Sequence, residues 1–196
     1  IPVYDGAAFR LDAHLARLAR SVDAIGIDAA WPAGGWPAVV DELVRANGGG
    51  DQSVYLQVTR GVAPRNHLPP ADVVPTLFAM SQPHHYDAPS PVAAVVLEDF
   101  RWLRGDIKAT ALLAAVMLRL AARDAGADEA ILQRGGLLTE AAASNVFVVA
   151  GGVVRTPPLA ATLLAGITRD FVLEVLAALD LPVAVEPVPV TLLDSA

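Results

Sequence analysis

Cysteine is absent from the 196 residues, which excludes disulfide staples, thiolate zinc sites, cysteine-ligated iron-sulfur clusters and a cysteine nucleophile. The redox compartment is left open by that absence. Positive charge is also scarce. Fourteen Lys plus Arg stand against 21 Asp plus Glu, a formal charge of -7 with a pI near 4.9, so no broad basic footprint suits a phosphate backbone. A local anion site remains compatible with that total. No run reaches the roughly 18 consecutive apolar residues of a membrane-spanning helix. The opening IPVYDGAAFRLD lacks a positive region followed by an apolar one, so it does not read as a signal peptide. The missing initiator Met leads us to expect that the sequence starts inside a longer chain. What is abundant is apolar: 54% of residues are hydrophobic and 18% charged, enough to bury a core in one large domain or two small ones.

Turn residues and apolar spacing divide the chain. VYDGAAF reads as a strand, an Asp5-Gly6 turn and a short return strand. Asp12 is a candidate cap for a helix over Ala13 to Ile25, where Leu15, Leu18, Val22 and Ile25 recur at three- and four-residue intervals. A second helix, Trp36 to Ala46, ends at the breaker run that begins with Asn47. SVYLQVTR and VVPTLFAMS read as strands flanking the punctuated segment GVAPRNHLPPAD. The three prolines of QPHHYDAPSP mark a linker. We expect a smaller lobe over residues 1–83, a linker over 84–91 and a larger lobe over 92–196.

In the larger lobe PVAAVVLED is strand-like and Ala109 to Ala125 reads as a long helix. EAILQR, the Gly135-Gly136 turn, SNVFVVA, the Gly151-Gly152 turn and VVRT suggest a meander of hairpins. A last helix spans about Thr168 to Leu179, and VAVEPVPV is a possible edge strand. Helices and strands on both sides of the linker predict an α+β fold of two lobes, with mixed sheets and packed helices. The Gly-Gly hairpins argue for antiparallel pairing and against one doubly wound domain.

Several residues are candidates for chemistry, each with an ordinary alternative. Lys108, in FRWLRGDIKAT between a strand and a helix, can supply a neutral amine for imine formation if desolvation weakens its charge. Alone it reads by default as a solvated lysine at a helix start. Glu140 follows the hairpin and is either a carboxylate facing a ring nitrogen or one satisfied by turn amides. Ser144 and Asn145 have capping or orienting the same turn as their common role. In LLAGITRDFVLEVL, Gly166 permits close backbone approach, and the amides of Ile167 and Thr168 with the Thr168 hydroxyl stand at a helix start suited to phosphate. Thr168 as a plain cap is the rival. Arg17 is either a contact to the same anion or a solvated helix residue. Arg65 and His67, two residues apart, can address one small carboxylate or form an exposed basic loop. Tyr55 belongs to core or pocket wall. His84 and His85 lack a compact third ligand and read as linker surface.

Together these pieces resemble the fold-type-IV pyridoxal-phosphate family, which includes D-amino-acid and branched-chain aminotransferases and aminodeoxychorismate lyase. VYDG, AHLARL, YLQVTRG, FRWLRGDIK, EAILQR, LTEAAASNVFVV and LAGITRD follow the family's order through nearly the whole chain. The stretch YLQVTRGVAPRNH is most similar to the D-amino-acid aminotransferases. The resemblance implies a Schiff-base lysine at Lys108, a glutamate facing the pyridine nitrogen at Glu140, and phosphate contacts from Arg17, Ile167 and Thr168. It also implies a substrate-carboxylate trap at Arg65 and His67 lined by Tyr55, and a leucine, Leu163 or Leu164, against the ring of pyridoxal 5'-phosphate. Arg101 matches an arginine near the site wall.

The implied activity is transfer of an amino group from a D-amino acid to a 2-oxo acid such as 2-oxoglutarate, in a cytoplasmic homodimer without nucleic-acid or membrane partners. The rivals are a branched-chain L-amino-acid aminotransferase, an aminodeoxychorismate lyase and a non-catalytic cofactor-binding homologue. Two departures stand out. Ala141, Ala142 and Ala143 occupy positions where the family commonly carries serines, and the family's first strands and a second phosphate-binding loop are expected before Ile1 and after Ala196.

Overall fold

The computed structural model of the chain describes residues 1–195, which fall into two compact units, Ile1–Pro89 and the remainder from Ser90. In the first, β1 (Pro2–Tyr4) and β2 (Ala7–Ala8) form the expected hairpin, followed by α1 (Leu11–Ala24), α2 (Gly35–Ala46), β3 (Gln52–Thr59) and β4 (Thr76–Pro83). They make a four-stranded antiparallel sheet in the order β2-β1-β3-β4. The long β3–β4 ladder runs in unbroken register from Gln52 opposite Pro83 to Thr59 opposite Thr76.

Helix α2 buries Trp36, Val40 and Val44, each four residues after the last, so one stripe faces the sheet. Val40 and Val44 pack there with Val3 and Val54. The helix's end is closed from β3, where the buried Gln52 donates through Nε2 to the carbonyls of Val44 at 3.0 Å and Gly49 at 2.8 Å. Arg60 closes α1 in the same way, donating to the carbonyls of Gly26 and Ile25. At its start α1 departs from expectation: Arg10, in the left-handed region at φ 51°, is the N-cap, and Asp12 lies within the first turn. There its carboxylate favours the helix dipole without capping.

The second unit carries β5 (Ala94–Glu98), α3 (Leu113–Asp124), β6 (Glu129–Arg134), β7 (Leu137–Ala141), β8 (Val148–Ala150), β9 (Val153–Thr156), α4 (Ile167–Ala178) and β10 (Val183–Val185). A 3-10 helix over Val190–Ser195 closes the described chain. Both Gly-Gly turns make antiparallel hairpins, β6–β7 and β8–β9. Each hairpin also gains a parallel strand, β5 beside β6 and β10 beside β9, so the two three-stranded sheets are mixed. Leu118 and Ala122 of α3 pack on Ala130 and Leu132 of β6, and Leu138, Val148 and Val188 form a separate cluster.

Several boundaries differ from the sequence reading. Helix α3 begins at Leu113 rather than Ala109, which leaves residues 99–112 irregular. The strand in VAVEPVPV stops at Val185, because its prolines remove ladder donors, although Leu137 still bridges Pro189. Strand β4 begins at Thr76, after Pro75.

Candidate active site

The structure brings three segments of the second unit together by direct hydrogen bonds. They are the irregular stretch after β5, the end of β7 and the turn leading into α4.

A register shift positions the acid. On β6, Ile131 pairs with Ala141 and Gln133 with Leu138, which leaves Leu132 facing two residues of β7, Thr139 and Glu140. Such a bulge breaks the alternation of side chains along a strand and aims an extra one inward. Leu138 through Ala141 are accordingly all buried, and Glu140 is 6% exposed. It is a strand carboxylate and not the turn carboxylate that was the ordinary alternative.

Burial of an ionised carboxylate has to be offset by donors. Glu140 Oε1 accepts Nη1 of Arg101 at 2.5 Å. Its Oε2 accepts Nδ2 of Asn145 at 3.1 Å and the backbone amide of Leu164 at 3.0 Å. Desolvation nevertheless wins and pushes the Glu140 carboxyl above its ordinary range, against the lowering effects of Arg101 and the Leu164 amide. Arg101 is held in turn by Asp99, to which it donates from Nε and Nη2 at 2.9 Å each, and by the Thr162 carbonyl at 3.2 Å. Asp99 also accepts the Thr139 hydroxyl at 2.9 Å and the Arg101 amide at 3.1 Å. Burial alone would raise the Asp99 carboxyl, but hydrogen bonds from Arg101 and Thr139 overcome it and hold the group below its ordinary range. For Arg101, burial works against the cation and both carboxylates more than restore it, so the guanidinium stays charged.

Lys108 is exposed and lies in the irregular stretch, not at the first turn of α3. Its segment is fixed at several points. Arg101 is anchored as above, Ile107 is buried, and the Gly105 amide donates to the Ala161 carbonyl at 2.7 Å. A Cβ on Gly105 would stand 2.8 Å from the Thr162 carbonyl oxygen, so only glycine allows the two loops to approach this closely. Lys108 is also the single lysine of the sequence, a compositional signal that spacing alone does not use.

Helix α4 starts as a helix that leaves its first amides available. Its N-cap is Gly166, in extended conformation, with no side-chain capping bond, and Ile167 and Thr168 are its first two residues. Thr168 is therefore not the cap, which overturns its ordinary reading. Ile167 is buried, Thr168 exposed, and Leu163 just before them is buried while Leu164 is half-buried. Asn145 ties this turn to β7, donating to the Leu164 carbonyl at 2.9 Å as well as to Glu140. Thus Lys108, Glu140, Leu163, Ile167 and Thr168 all lie on mutually bonded segments.

Arg17, Tyr55, Arg65 and His67 belong to the first unit. Arg17 is half-buried on α1, and Tyr55 is an exposed β3 residue whose hydroxyl donates to Gln57 at 2.7 Å and whose ring meets Phe78 edge-on at 6.4 Å. Tyr55 is thus a surface residue rather than core. Arg65 and His67 are exposed on the loop between β3 and β4. That loop is pinned near its start by Gly61 at φ 113°, where a Cβ would fall 1.9 Å from the Val74 carbonyl oxygen. Sequence reading missed Asp99, Thr139 and the paired bonds of Asn145. Their only local signal was the charged pair Asp99 and Arg101 flanking Phe100.

Comparison with known proteins places the chain. Residues 1–196 match the family described as amino-transferase class IV. The chain is 42% identical over 177 residues to the D-alanine aminotransferase of Bacillus licheniformis, covering 89% of this chain and 62% of that protein. It is 37% identical over 202 residues to the D-alanine aminotransferase of Staphylococcus haemolyticus, covering 100% of this chain and 71% of the relative. Among solved structures, the branched-chain aminotransferase of Thermoproteus uzoniensis with norvaline has a TM-score of 0.85 at 30% identity, over 97% of this chain and 68% of that one. The branched-chain amino acid aminotransferase of Escherichia coli, at TM-score 0.84 and 22% identity over 96% of this chain and 66% of that one, shares the fold. The chain spans between 61% and 71% of the length of these and similar curated relatives. With its α+β architecture of mixed sheets and packed helices, the chain belongs to the class IV aminotransferase family and has the fold-type-IV fold.

Proposed function

We propose that the protein transfers an amino group from a D-amino acid to a 2-oxo acid such as 2-oxoglutarate, using pyridoxal 5'-phosphate. One observation carries the reading. Glu140, a buried carboxylate pushed toward proton acceptance, accepts the Leu164 amide at 3.0 Å and is thereby tied to the uncapped start of α4. An acid for a ring nitrogen and amides for a phosphate stand on linked segments, and the sequence's one lysine lies on a third. That donor set fits the cofactor. The relatives named D-alanine aminotransferase, at 37% and 42% identity, support the substrate class.

When bound, pyridoxal phosphate supplies a carbonyl that condenses with amines and a ring that draws electrons from the carbon bearing the amine. The chain's residues do the rest. Lys108 Nζ takes and returns the proton of the substrate's alpha carbon, a role that requires its neutral form. The Glu140 carboxylate would accept the N-H of the ring nitrogen and so keep a proton there. The amides of Ile167 and Thr168 with the Thr168 hydroxyl would hold the phosphate, where unpaired N-H groups and the helix dipole both favour an anion, and the family resemblance adds Arg17 to its contacts. Leu163 would pack against the ring. By the family resemblance, Arg65 and His67 would bind the substrate's alpha-carboxylate and Tyr55 would line that position. We read the first unit as the small lobe, the second as the cofactor lobe, and residues 84–91 as their linker, in a cytoplasmic homodimer.

The test is an amino-transfer assay with the full-length protein, pyridoxal phosphate and 2-oxoglutarate, offered D-alanine and L-leucine separately. Turnover of D-alanine with none of L-leucine supports the reading. Selective turnover of L-leucine would overturn the D-specific assignment, and no transfer from either would return the protein to a non-catalytic homologue.

A further inference from the structure

The buried charges around Glu140 are unevenly shared. Arg101 presents three donor nitrogens, and Asp99 takes two of them in a bidentate fork while Glu140 takes one. Asp99 is the more deeply buried acid, its side chain 1% exposed against 7% for Glu140. It is also the more fully satisfied, with the Thr139 hydroxyl and the Arg101 amide added to the fork. Its location is enforced by β6: Arg134 Nη2 donates to the carbonyls of both Asp99 and Arg101 at 2.9 Å, and its guanidinium lies 3.6 Å from the Asp99 carboxylate. The remaining donors on Glu140, Asn145 and the Leu164 amide, are neutral. Asp99, Arg101 and Glu140 therefore sum to one net negative charge, with the second cation, Arg134, beside Asp99.

We propose that Asp99 is a positioning residue which, by occupying two of the three donor nitrogens of Arg101, limits that cation to a single bond with Glu140 and leaves the Glu140 carboxylate a stronger acceptor for a ring N-H. The cluster fits this role better than simple structural satisfaction. A carboxylate that only had to be buried is best served by the whole fork of an arginine, and here the fork is spent on its neighbour. Two oppositely acting substitutions follow. Asp99→Asn releases Arg101 toward Glu140, making the acid less basic. Arg101→Gln removes the cation and makes it more basic. A structural role alone moves both in the same direction, through a loosened cluster.

The inference rests on the reading above for the identity of the group that Glu140 meets, so the experiment has two arms. In the first, the protein without cofactor is labelled with 13C at glutamate side chains, and the Glu140 carboxyl is followed by NMR against pH, with Glu140→Gln to assign it. The expected result is a lower midpoint in Asp99→Asn and a higher one in Arg101→Gln. Shifts of the same sign, or no shift in Asp99→Asn, overturn the proposal. Thr139→Val removes a donor from Asp99 while keeping both charges, so it leaves the fork more firmly on Asp99 and raises the midpoint; a lowered midpoint there also overturns it. This variant serves if Arg101→Gln does not fold. In the second arm, binding of pyridoxal phosphate is titrated by absorbance. Asp99→Asn is expected to bind about tenfold more weakly, through the weakening of the charged hydrogen bond made by Glu140. Opposite midpoint shifts without any binding by the unaltered protein refute the cofactor reading and leave the charge partition standing; binding equal in Asp99→Asn and the unaltered protein refutes the partition's role toward the ring.

Discussion

Replacing Gly166 by alanine separates packing from chemistry at the point where the site is tightest. Gly166 sits at φ -74° and ψ 131°, a conformation any residue adopts, so alanine suffers no backbone strain there. Its added Cβ would fall 1.9 Å from Oδ1 of Asn145. Asn145 cannot yield cheaply, because its Nδ2 donates to Glu140 and to the Leu164 carbonyl, at 3.1 and 2.9 Å. Losing a bond to a charged group costs about 1.5–3 kcal/mol and one to a carbonyl about 0.5–1.5, so Gly166→Ala is expected to destabilise the protein by roughly 2–4 kcal/mol. That corresponds to a fall in Tm on the order of 5–15 °C for a chain of this size. Differential scanning calorimetry and urea titration read it. Asn145→Ala removes the obstructing oxygen, so in that background Gly166→Ala should cost less than about 1 kcal/mol, and the double-mutant cycle should show a coupling of about 2 kcal/mol. Equal costs in both backgrounds would refute the clash, and a single-variant loss below about 0.5 kcal/mol would refute the tightness of the turn.

Two further outcomes are expected. Gly61→Ala meets both a left-handed φ of 113° and the Val74 carbonyl oxygen, whereas Gly126→Ala, at φ 77°, meets open space; urea unfolding should show a loss of more than about 3 kcal/mol for the first and about 1 for the second. The acids of the site act in opposite directions on stability. Asp99, held below its ordinary value of 3.8, contributes stability that is present above that value and is lost as pH falls through its folded-state value. Glu140, raised above 4.5, contributes stability at low pH that is lost as pH rises through its raised value. Urea titrations of the cofactor-free protein should therefore show Asp99→Asn flattening the acid side and Glu140→Gln flattening the decline above pH 4.5; the reverse pattern would contradict the assigned directions.

What the sequence makes legible follows the range of each interaction. Helices α1, α2 and α4 are readable to within two residues at either end, because their apolar spacing is local and repeats. The hairpins at Gly135-Gly136 and Gly151-Gly152 announce themselves by turn chemistry. Parallel partners do not, since nothing in β5 or β10 names the strand that will lie beside it. Residues Ala109 to Leu112 are helix-compatible, and tertiary bonds at Gly105 and Arg101 hold the preceding stretch irregular instead.

The site divides in the same way. Lys108 and the α4 start stand in recognisable motifs, while the pairing of Arg101 with Glu140 spans 39 residues and depends on a bulge that no turn residue marks. Asp99 and Thr139 are invisible for that reason: their roles exist only once β5 and β7 flank β6.

Whether Lys108 holds the cofactor is read directly by one experiment. The full-length protein is mixed with pyridoxal phosphate, reduced with borohydride, digested with trypsin and mapped by mass spectrometry. One pyridoxyl-bearing peptide is expected, running from Gly105 to Arg119, with cleavage at Lys108 blocked. An unlabelled Lys108, or a label carried only on amines elsewhere, would contradict it.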